Sequence, residues 1–156
     1  KSPTCTECDI KAGKELAEIA GVNADEYGLE MLKAGTALGD KSEAELLNMD
    51  MKIFEIDGSK IGVAQVNTVN EAEVLERKEK LLSEIDNIIT KEGLKFFMFA
   101  ITNILSNDSV ALVSGDGNDI IKKAFGEKVD SNLVTLKGVV SRKKQIIPPL
   151  TKVIQG

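Results

Sequence analysis

An apolar run in the middle of the chain, KFFMFAIT at residues 95–102, restricts the possible folds more than any other segment. The run is too continuous for a strand that exposes one face to water, and it is too short for a typical helix. We therefore predict a buried strand at the centre of a sheet.

Further strands are predicted on both sides of this run in the sequence. Asp57-Gly58 separates the apolar alternations MKIFEI and KIGVAQV, and an Asp-Gly pair in this position is a strong signal for a β-hairpin. After the central run, the segments SVALVS, LVTL and GVVS have the composition of three more strands.

Helical patterns alternate with these strands. Ser42-x-x-Glu45 forms a capping box before a short helix, and Asn70 precedes a long amphipathic helix that is predicted over residues 71–91. Another short helix is predicted near residues 117–125. This mixed order of strands and helices predicts an α/β fold class, in which helices cover a mixed β-sheet.

The N-terminal residues have a different pattern from this body. Capping patterns at Thr6-x-x-Asp9 and Asn23-x-x-Glu26 predict two helices, the first over about residues 7–20. Together these helices would form a small helical hairpin that precedes the sheet.

The segment GTALGDK at residues 35–41 contains two glycines and little apolar pattern, which is typical of a linker. We therefore predict a domain boundary there. It separates a helical segment at residues 1–34 from a larger domain at residues 42–156.

The amino-acid composition excludes several classes of site. The chain contains no histidine, which is the commonest metal ligand and the usual acid–base group near neutral pH. Cys5 and Cys8 form a C-x-x-C pattern that could be half of a zinc site or a redox pair, but neither has its usual sequence context. Two reduced structural cysteines are the favoured interpretation.

The charge balance also limits the partners. A formal net charge of −5 argues against a general nucleic-acid-binding protein, because affinity for a phosphate backbone requires many clustered Lys and Arg residues. No window contains the roughly 18 consecutive apolar residues that a membrane helix needs. We expect a cytoplasmic protein whose anion sites, if any, are local.

One cationic cluster could form such a local site. Arg142, Lys143 and Lys144 are adjacent, apolar segments flank them, and Pro148-Pro149 stiffens the chain that follows. A solvated charged turn is the simpler interpretation of such a cluster. A stiff frame around adjacent cations instead favours a small, phosphate-rich anion, since Arg presents a planar fork to phosphate oxygens and Lys adds a compact charge.

The same segment carries a family resemblance. VSRKKQIIPPLT resembles the C-terminal signature of the family II, manganese-dependent inorganic pyrophosphatases of the DHH phosphoesterase superfamily. Exopolyphosphatases share the associated domain, but the full string SRKKQ is similar to that of the pyrophosphatases. Other segments similar to that family occur in the same order along the chain: KSPTCTECD, LAEIAGV, EYGLEMLKAGT, the D-x-K-x-F segment at residues 50–54, AQVNTV and ITNILSNDS.

The resemblance implies two lobes, of which this chain is similar to the C-terminal part. Residues 1–34 would then be the helical tail of the N-terminal DHH lobe. Residues 35–41 would be the hinge, and residues 42–156 would be the DHH-associated domain that binds substrate. The DHH lobe would be a partner of this domain within the same protein, and a homodimer of the full-length enzyme is compatible with the resemblance.

The resemblance also implies roles for particular residues. Arg142, Lys143 and Lys52 match the family's pyrophosphate-binding residues, and the residues that would support them are Ser141, Lys144 and Gln145. The chain departs from the family pattern at Ile53, where the family has Glu, and at Asn103, where many relatives have Asp. No catalytic residue and no metal ligand is expected on this chain alone.

The function implied by the resemblance is hydrolysis of diphosphate to two phosphates by the full-length enzyme. Two Mn²⁺ ions would be bound by the DHH lobe, and Mg²⁺ could accompany the substrate. We expect these 156 residues to be inactive without that lobe. The alternative is a non-catalytic module that binds pyrophosphate, polyphosphate or a nucleotide for regulation.

Overall fold

The computed structural model describes Leu29, Glu30 and residues 38–156. The chain divides into two compact units, Lys1–Ala37 and Leu38–Gly156. In the first unit, Leu29 and Glu30 have helical backbone, as the second predicted helix requires. The first predicted helix, the Cys5/Cys8 pair and most of the predicted hairpin lie outside the described residues.

The second unit is built on one mixed sheet of five strands in the order β1-β2-β3-β4-β5. The central pair, β2 and β3, is parallel, and the other neighbouring pairs are antiparallel. The strands are β1 (Met51–Ile56), β2 (Ser59–Thr68), β3 (Phe96–Asn103), β4 (Asp108–Gly115) and β5 (Leu133–Leu136).

The predicted central strand is confirmed as β3. Its residues from Phe96 to Ile101 are completely buried. Successive side chains of a strand point to opposite faces of the sheet, so one continuous apolar run supplies both faces. Phe97 and Phe99 pack in one hydrophobic cluster, while Phe96 and Met98 pack in the other.

The predicted β-hairpin is also confirmed. Ile56 pairs with Ser59 across the two-residue loop Asp57-Gly58. Both loop residues have positive φ, at 49° and 75°, which is the conformation that a type I′ turn needs and that Asp-Gly favours. The turn therefore sets the register of the first two strands.

Helices cover both faces of the sheet, which confirms the α/β fold class. The helices of the second unit are α1 (Glu43–Asn48), α2 (Glu71–Leu75), α3 (Lys78–Glu92), α4 (Asn118–Phe125) and α5 (Ile147–Gln155), with a π-helix at Arg142–Ile146. The first three pack against one face, and α4, the π-helix and α5 pack against the other. None of the described helices is both long enough and apolar enough to cross a membrane.

The prediction of one long helix over residues 71–91 is wrong, because the chain forms α2 and α3 with a break between them. Arg77 has non-helical torsion angles of φ −97° and ψ 14° at this break. Its guanidinium is bonded to Glu43 and to the carbonyl of Lys41. Asn70 stands at the N-cap of α2, but its side chain makes no capping hydrogen bond.

The prediction that GVVS forms a strand is wrong as well. Residues 138–141 are irregular, and RKKQI continues as the π-helix into α5. Pro148 and Pro149 lie in the first turn of α5. Backbone N–H groups in the first turn make no hydrogen bond within an α-helix, so proline, which lacks this group, is tolerated there. The double proline thus lies inside a helical segment that begins with the π-helix.

Candidate functional site

The predicted cationic cluster lies beside a cavity of about 260 Å³ near the carboxyl end of β2. Arg142 and Lys143, at the start of the π-helix, form part of its wall. The complete lining consists of Asp50, Gln65, Asn67, Val140, Ser141, Arg142 and Lys143. The cavity therefore joins residues from three distant segments of the sequence.

Gln145 holds the irregular segment that precedes the π-helix. Its Oε1 accepts hydrogen bonds from the backbone N–H groups of Val140, at 2.9 Å, and Ser141, at 3.1 Å. Its Nε2 donates to the carbonyl of Gly138 at 2.8 Å. This supporting residue thus fixes the loop conformation, and it does so without lining the cavity.

Gln65 joins the same segment to the sheet from the opposite side. Its Oε1 accepts from the backbone N–H of Arg142 at 3.2 Å, and its Nε2 donates to the carbonyl of Val140 at 3.0 Å. The same Nε2 donates to Thr102 Oγ1 on β3 at 2.8 Å. One side-chain amide therefore connects β2, β3 and the loop that carries Ser141.

The hydroxyl groups of Thr102 and Ser109 continue the hydrogen-bond chain from Gln65, and the donor and acceptor of each bond can be assigned. Ser109 Oγ lies 2.5 Å from the carbonyl of Val139, which can only accept, so the Ser109 proton points to that carbonyl. Thr102 then donates to Ser109 Oγ across 2.7 Å and accepts from Gln65. Because both hydroxyl residues are buried, at 1% exposure each, this chain of bonds anchors the loop at Val139 in a site closed to bulk water.

The guanidinium of Arg142 is held by residues at the start of the sheet. Nη2 forms an ion pair with Asp50 Oδ1 at 2.8 Å, and Nη1 donates to the backbone carbonyl of Asp50. Nη1 also lies 3.4 Å from the carbonyl of Val63. The Arg142 side chain is only 10% exposed, whereas that of Asp50 is 52% exposed. This cation is therefore positioned by protein groups and is not a mobile surface charge.

The three lysines of the sequence prediction occupy different positions. Lys143 is exposed and lines the cavity. Lys52 is exposed on β1 opposite Val63, so it projects from the same face of the sheet as Arg142, but it does not line the cavity. Lys144 is exposed outside the lining, and its backbone N–H donates to Ser141 Oγ at 3.3 Å.

Four residues of the cavity have no role in the sequence prediction, and one of them is Val140 of the predicted GVVS strand. Asp50 appeared only as part of a family segment, and Gln65 and Asn67 appeared only within the string AQVNTV. A usable signal was present, since Gln65 and Asn67 are polar residues two positions apart that follow the apolar run IGVA in the strand, and they must share one face. The pattern did not predict which distant residues these side chains contact in the folded chain.

The cavity does not fit a manganese site. Two of its lining side chains are cations, and its carboxylate, Asp50, is already paired with one of them. Within residues 38–156 and Leu29–Glu30, no three His, Cys, Asp or Glu side chains form a group that could hold a metal ion. The chemistry of this donor set suits an anion.

Comparison with known proteins identifies relatives of this chain. The sequence profile of the DHHA2 domain matches residues 29–153. A Bacillus licheniformis protein named "Probable manganese-dependent inorganic pyrophosphatase" is 53% identical over all 156 residues. A Shouchella clausii protein of the same name is 54% identical over 154 residues.

Solved structures include a similar fold. The crystal structure of a Methanococcus jannaschii "putative family II inorganic pyrophosphatase" matches 99% of this chain with a TM-score of 0.80 and 42% identity. The chain spans 50% of the length of that structure and 50% of the two relatives. With these matches, the chain belongs to the DHHA2 domain family and corresponds to the C-terminal half of the manganese-dependent, family II inorganic pyrophosphatases.

Proposed function

We propose that this chain is the substrate-binding half of a manganese-dependent inorganic pyrophosphatase, which hydrolyses diphosphate to two phosphates. The observation that supports this most directly is the placement of Arg142 and Lys143 on one cavity whose backbone is held by the amides of Gln65 and Gln145. Identity of about half of all residues to relatives with that name supports the same function.

Arg142 can bind phosphate without releasing Asp50. A guanidinium has five N–H donors, and the bonds to Asp50 and Val63 account for three of them. Within the described residues, Nε–H has no acceptor, and one N–H of Nη2 is left over. These two donors lie along one edge of the planar group and match two oxygens of a phosphate. The ion pair with Asp50 would therefore orient this edge.

Lys143 and Lys52 would contribute differently from Arg142. Lys143 lines the cavity, and its exposed ammonium adds a positive charge beside the oriented guanidinium. Lys52 projects from the same face of the sheet and would reach a larger anion from outside the lining. As charge develops on the transferred and leaving phosphates, each preorganised donor of this kind can stabilise the transition state by about 3 kcal/mol.

The metal would be bound elsewhere in this proposal. Manganese would activate the attacking water in the full-length enzyme, but the cavity residues described above do not fit the metal. We therefore assign manganese to a part of the full-length protein outside the described residues. The role proposed for this half is to bind and orient pyrophosphate.

The test is titration of pyrophosphate into this chain by isothermal titration calorimetry. Lys143→Ala removes an exposed cation from the cavity and is expected to weaken binding about 10-fold, equivalent to about 1.4 kcal/mol. The matched control is Lys152→Ala, which makes the same charge change at an exposed position of α5. We expect that control to change affinity less than about 2-fold.

Arg142→Ala is the second variant in this titration, and it is expected to weaken binding by more than Lys143→Ala. The far-ultraviolet circular dichroism of each variant establishes that it is folded. Absence of pyrophosphate binding by the unmodified chain would contradict the proposal for this half. If Lys143→Ala and Lys152→Ala lose affinity for pyrophosphate equally, the affinity comes from the overall charge of the chain and not from the cavity.

A further inference from the structure

Gln65 occupies a position from which it controls the geometry of the cationic residues. It lies on β2, half-buried, with its backbone N–H 3.3 Å from the carbonyl of Asp50. We infer that Gln65 is a positioning residue, which sets the location of Arg142 and thereby the affinity for pyrophosphate. This inference rests on the proposed function of the cavity.

Gln65 fixes the backbone on both sides of Ser141. Its Oε1 receives the N–H of Arg142, and its Nε2 binds the carbonyl of Val140. These bonds bridge 77 and 75 positions of sequence, respectively. They therefore determine the position of Arg142, the first residue of the cationic cluster, relative to the sheet. Local helix propensity cannot determine that position.

The side chain of Arg142 shares a hydrogen-bond acceptor with Gln65. The carbonyl of Asp50 accepts both from Gln65 N–H and from Arg142 Nη1. Gln65 holds the backbone of Arg142, and the carbonyl of Asp50 holds its guanidinium. These two groups are themselves hydrogen-bonded to each other. A displacement of Gln65 would move both groups, and the phosphate-facing edge of the guanidinium would move with them.

The hydrogen-bond partners at this position require an amide side chain. Thr102 donates its proton to Ser109 and so needs a donor from Gln65, and the carbonyl of Val140 needs one as well. The N–H of Arg142 needs an acceptor. A primary amide supplies two donors and one acceptor in a single planar group, whereas a carboxylate supplies only acceptors and an aliphatic chain supplies neither.

The experiment compares Gln65→Met with Gln155→Met in the 156-residue chain. Methionine keeps the approximate length and volume of glutamine but removes its hydrogen bonds, and Gln155 is an exposed residue at the end of α5. Gln65→Met is expected to weaken pyrophosphate binding about 10-fold, while Gln155→Met leaves it unchanged within about 2-fold. Gln65→Asn, whose amide is one carbon too short to span these partners, serves as the second variant and is expected to show the same loss.

A double-mutant cycle separates positioning from a general structural effect. If Gln65 acts through Arg142, the variant that combines Gln65→Met with Arg142→Ala binds pyrophosphate no more weakly than Arg142→Ala alone. Fully additive losses would overturn the inference. Unchanged affinity in both Gln65 variants would also overturn it.

Hydrogen exchange without ligand provides a measurement that does not depend on pyrophosphate. The backbone amide of Arg142 is expected to exchange about 10-fold faster in Gln65→Met than in the unmodified chain, because its acceptor is removed. The amide of Ile85, in the core of α3, is the internal reference. Failure of the unmodified chain to bind pyrophosphate would contradict the proposed function, and unchanged exchange at Arg142 would contradict the role of Gln65.

Discussion

At the scale of single residues, Asn103 shows how one amide satisfies groups from two elements. Its Nδ2 donates to Glu71 Oε2 on α2 at 2.5 Å. Its Oδ1 accepts from the backbone N–H groups of Leu105, at 2.9 Å, and Ser106, at 3.2 Å, in the turn after β3. An aspartate at this position could still accept the two backbone N–H groups of the turn. It could not donate to Glu71, since a carboxylate has no N–H group.

Asn103→Asp is therefore expected to lower the free energy of unfolding at pH 7 by about 1 kcal/mol, because a carboxylate would face the Glu71 carboxylate without a proton between them. Like-charge proximity raises the pKa of one carboxyl in the folded state, so the loss is largest above that pKa and diminishes as the pH falls through it. Urea unfolding at pH 7 and pH 4 measures both effects. The control is Asn87→Asp at an exposed position of α3, and an equal change in both variants would contradict the explanation.

At the scale of elements, Arg77 explains why the predicted long helix is interrupted. Its Nε forms an ion pair with Glu43 Oε1 of α1 at 2.8 Å. Its Nη2 donates to the carbonyl of Lys41 at 2.6 Å, and Nη1 lies 3.5 Å from that of Leu38. The residue at the α2–α3 break thus fastens the first residues of the second unit to the helical layer.

The hydrogen bond from Arg77 lowers the pKa of Glu43 below its ordinary value of 4.5. Because the folded pKa is depressed, the stabilisation from this pair is present above pH 4.5 and is lost as the pH falls below 4.5 through the folded pKa. Glu43→Gln is therefore expected to lower the urea midpoint at pH 7 and to have a smaller effect at pH 3. The control is Glu45→Gln, an exposed substitution in the same helix. A Glu43→Gln effect of the same size at both pH values would contradict this assignment.

At the scale of the whole molecule, the sheet separates two layers of helices. The face covered by α1, α2 and α3 carries a hydrophobic cluster that includes Leu81, Ile85 and Phe99. The opposite face carries the second cluster, and near the end of β2 that cluster gives way to the polar residues Gln65 and Asn67. The start of the π-helix lies at this end of β2, where the N–H of Arg142 donates to Gln65, so the cavity forms where the apolar packing stops.

We expect catalysis to require both halves of the full-length protein. This chain alone, supplied with Mn²⁺ and pyrophosphate, is expected to release no phosphate above background. Addition of the N-terminal half of the Bacillus licheniformis relative is expected to restore hydrolysis, because the proposed function divides the site between two halves. Phosphate release by a colorimetric assay measures this.

In that reconstituted system, Lys143→Ala is expected to reduce kcat/KM about 100-fold, since the cation would stabilise charge in the transition state. Lys152→Ala is the control and should leave the rate within about 2-fold. Pyrophosphate binding by this chain together with no hydrolysis in the reconstituted, folded mixture would favour the alternative of a regulatory binding module.

The elements that the sequence predicted correctly are those specified by neighbouring residues. Asp57-Gly58 determines a tight turn through its own torsion angles, and the run from Phe96 to Ile101 can only be buried. Ser42 accepts from the N–H of Glu45 at 3.2 Å, as the capping box predicts. Arg142 and Lys143 both line the cavity, and their role in binding pyrophosphate stays a prediction.

Tertiary structure decided the features that depend on distant partners. The irregular course of residues 138–141 follows from bonds to Gln65 and to Ser109, which local propensity does not report. The guanidinium of Arg142 is oriented by Asp50, 92 positions away. The sequence by itself determined which residues are cationic and which strand is buried, because those are properties of composition and periodicity. Only the folded chain decided where the cations point, because that depends on hydrogen bonds between segments that become neighbours when the sheet forms.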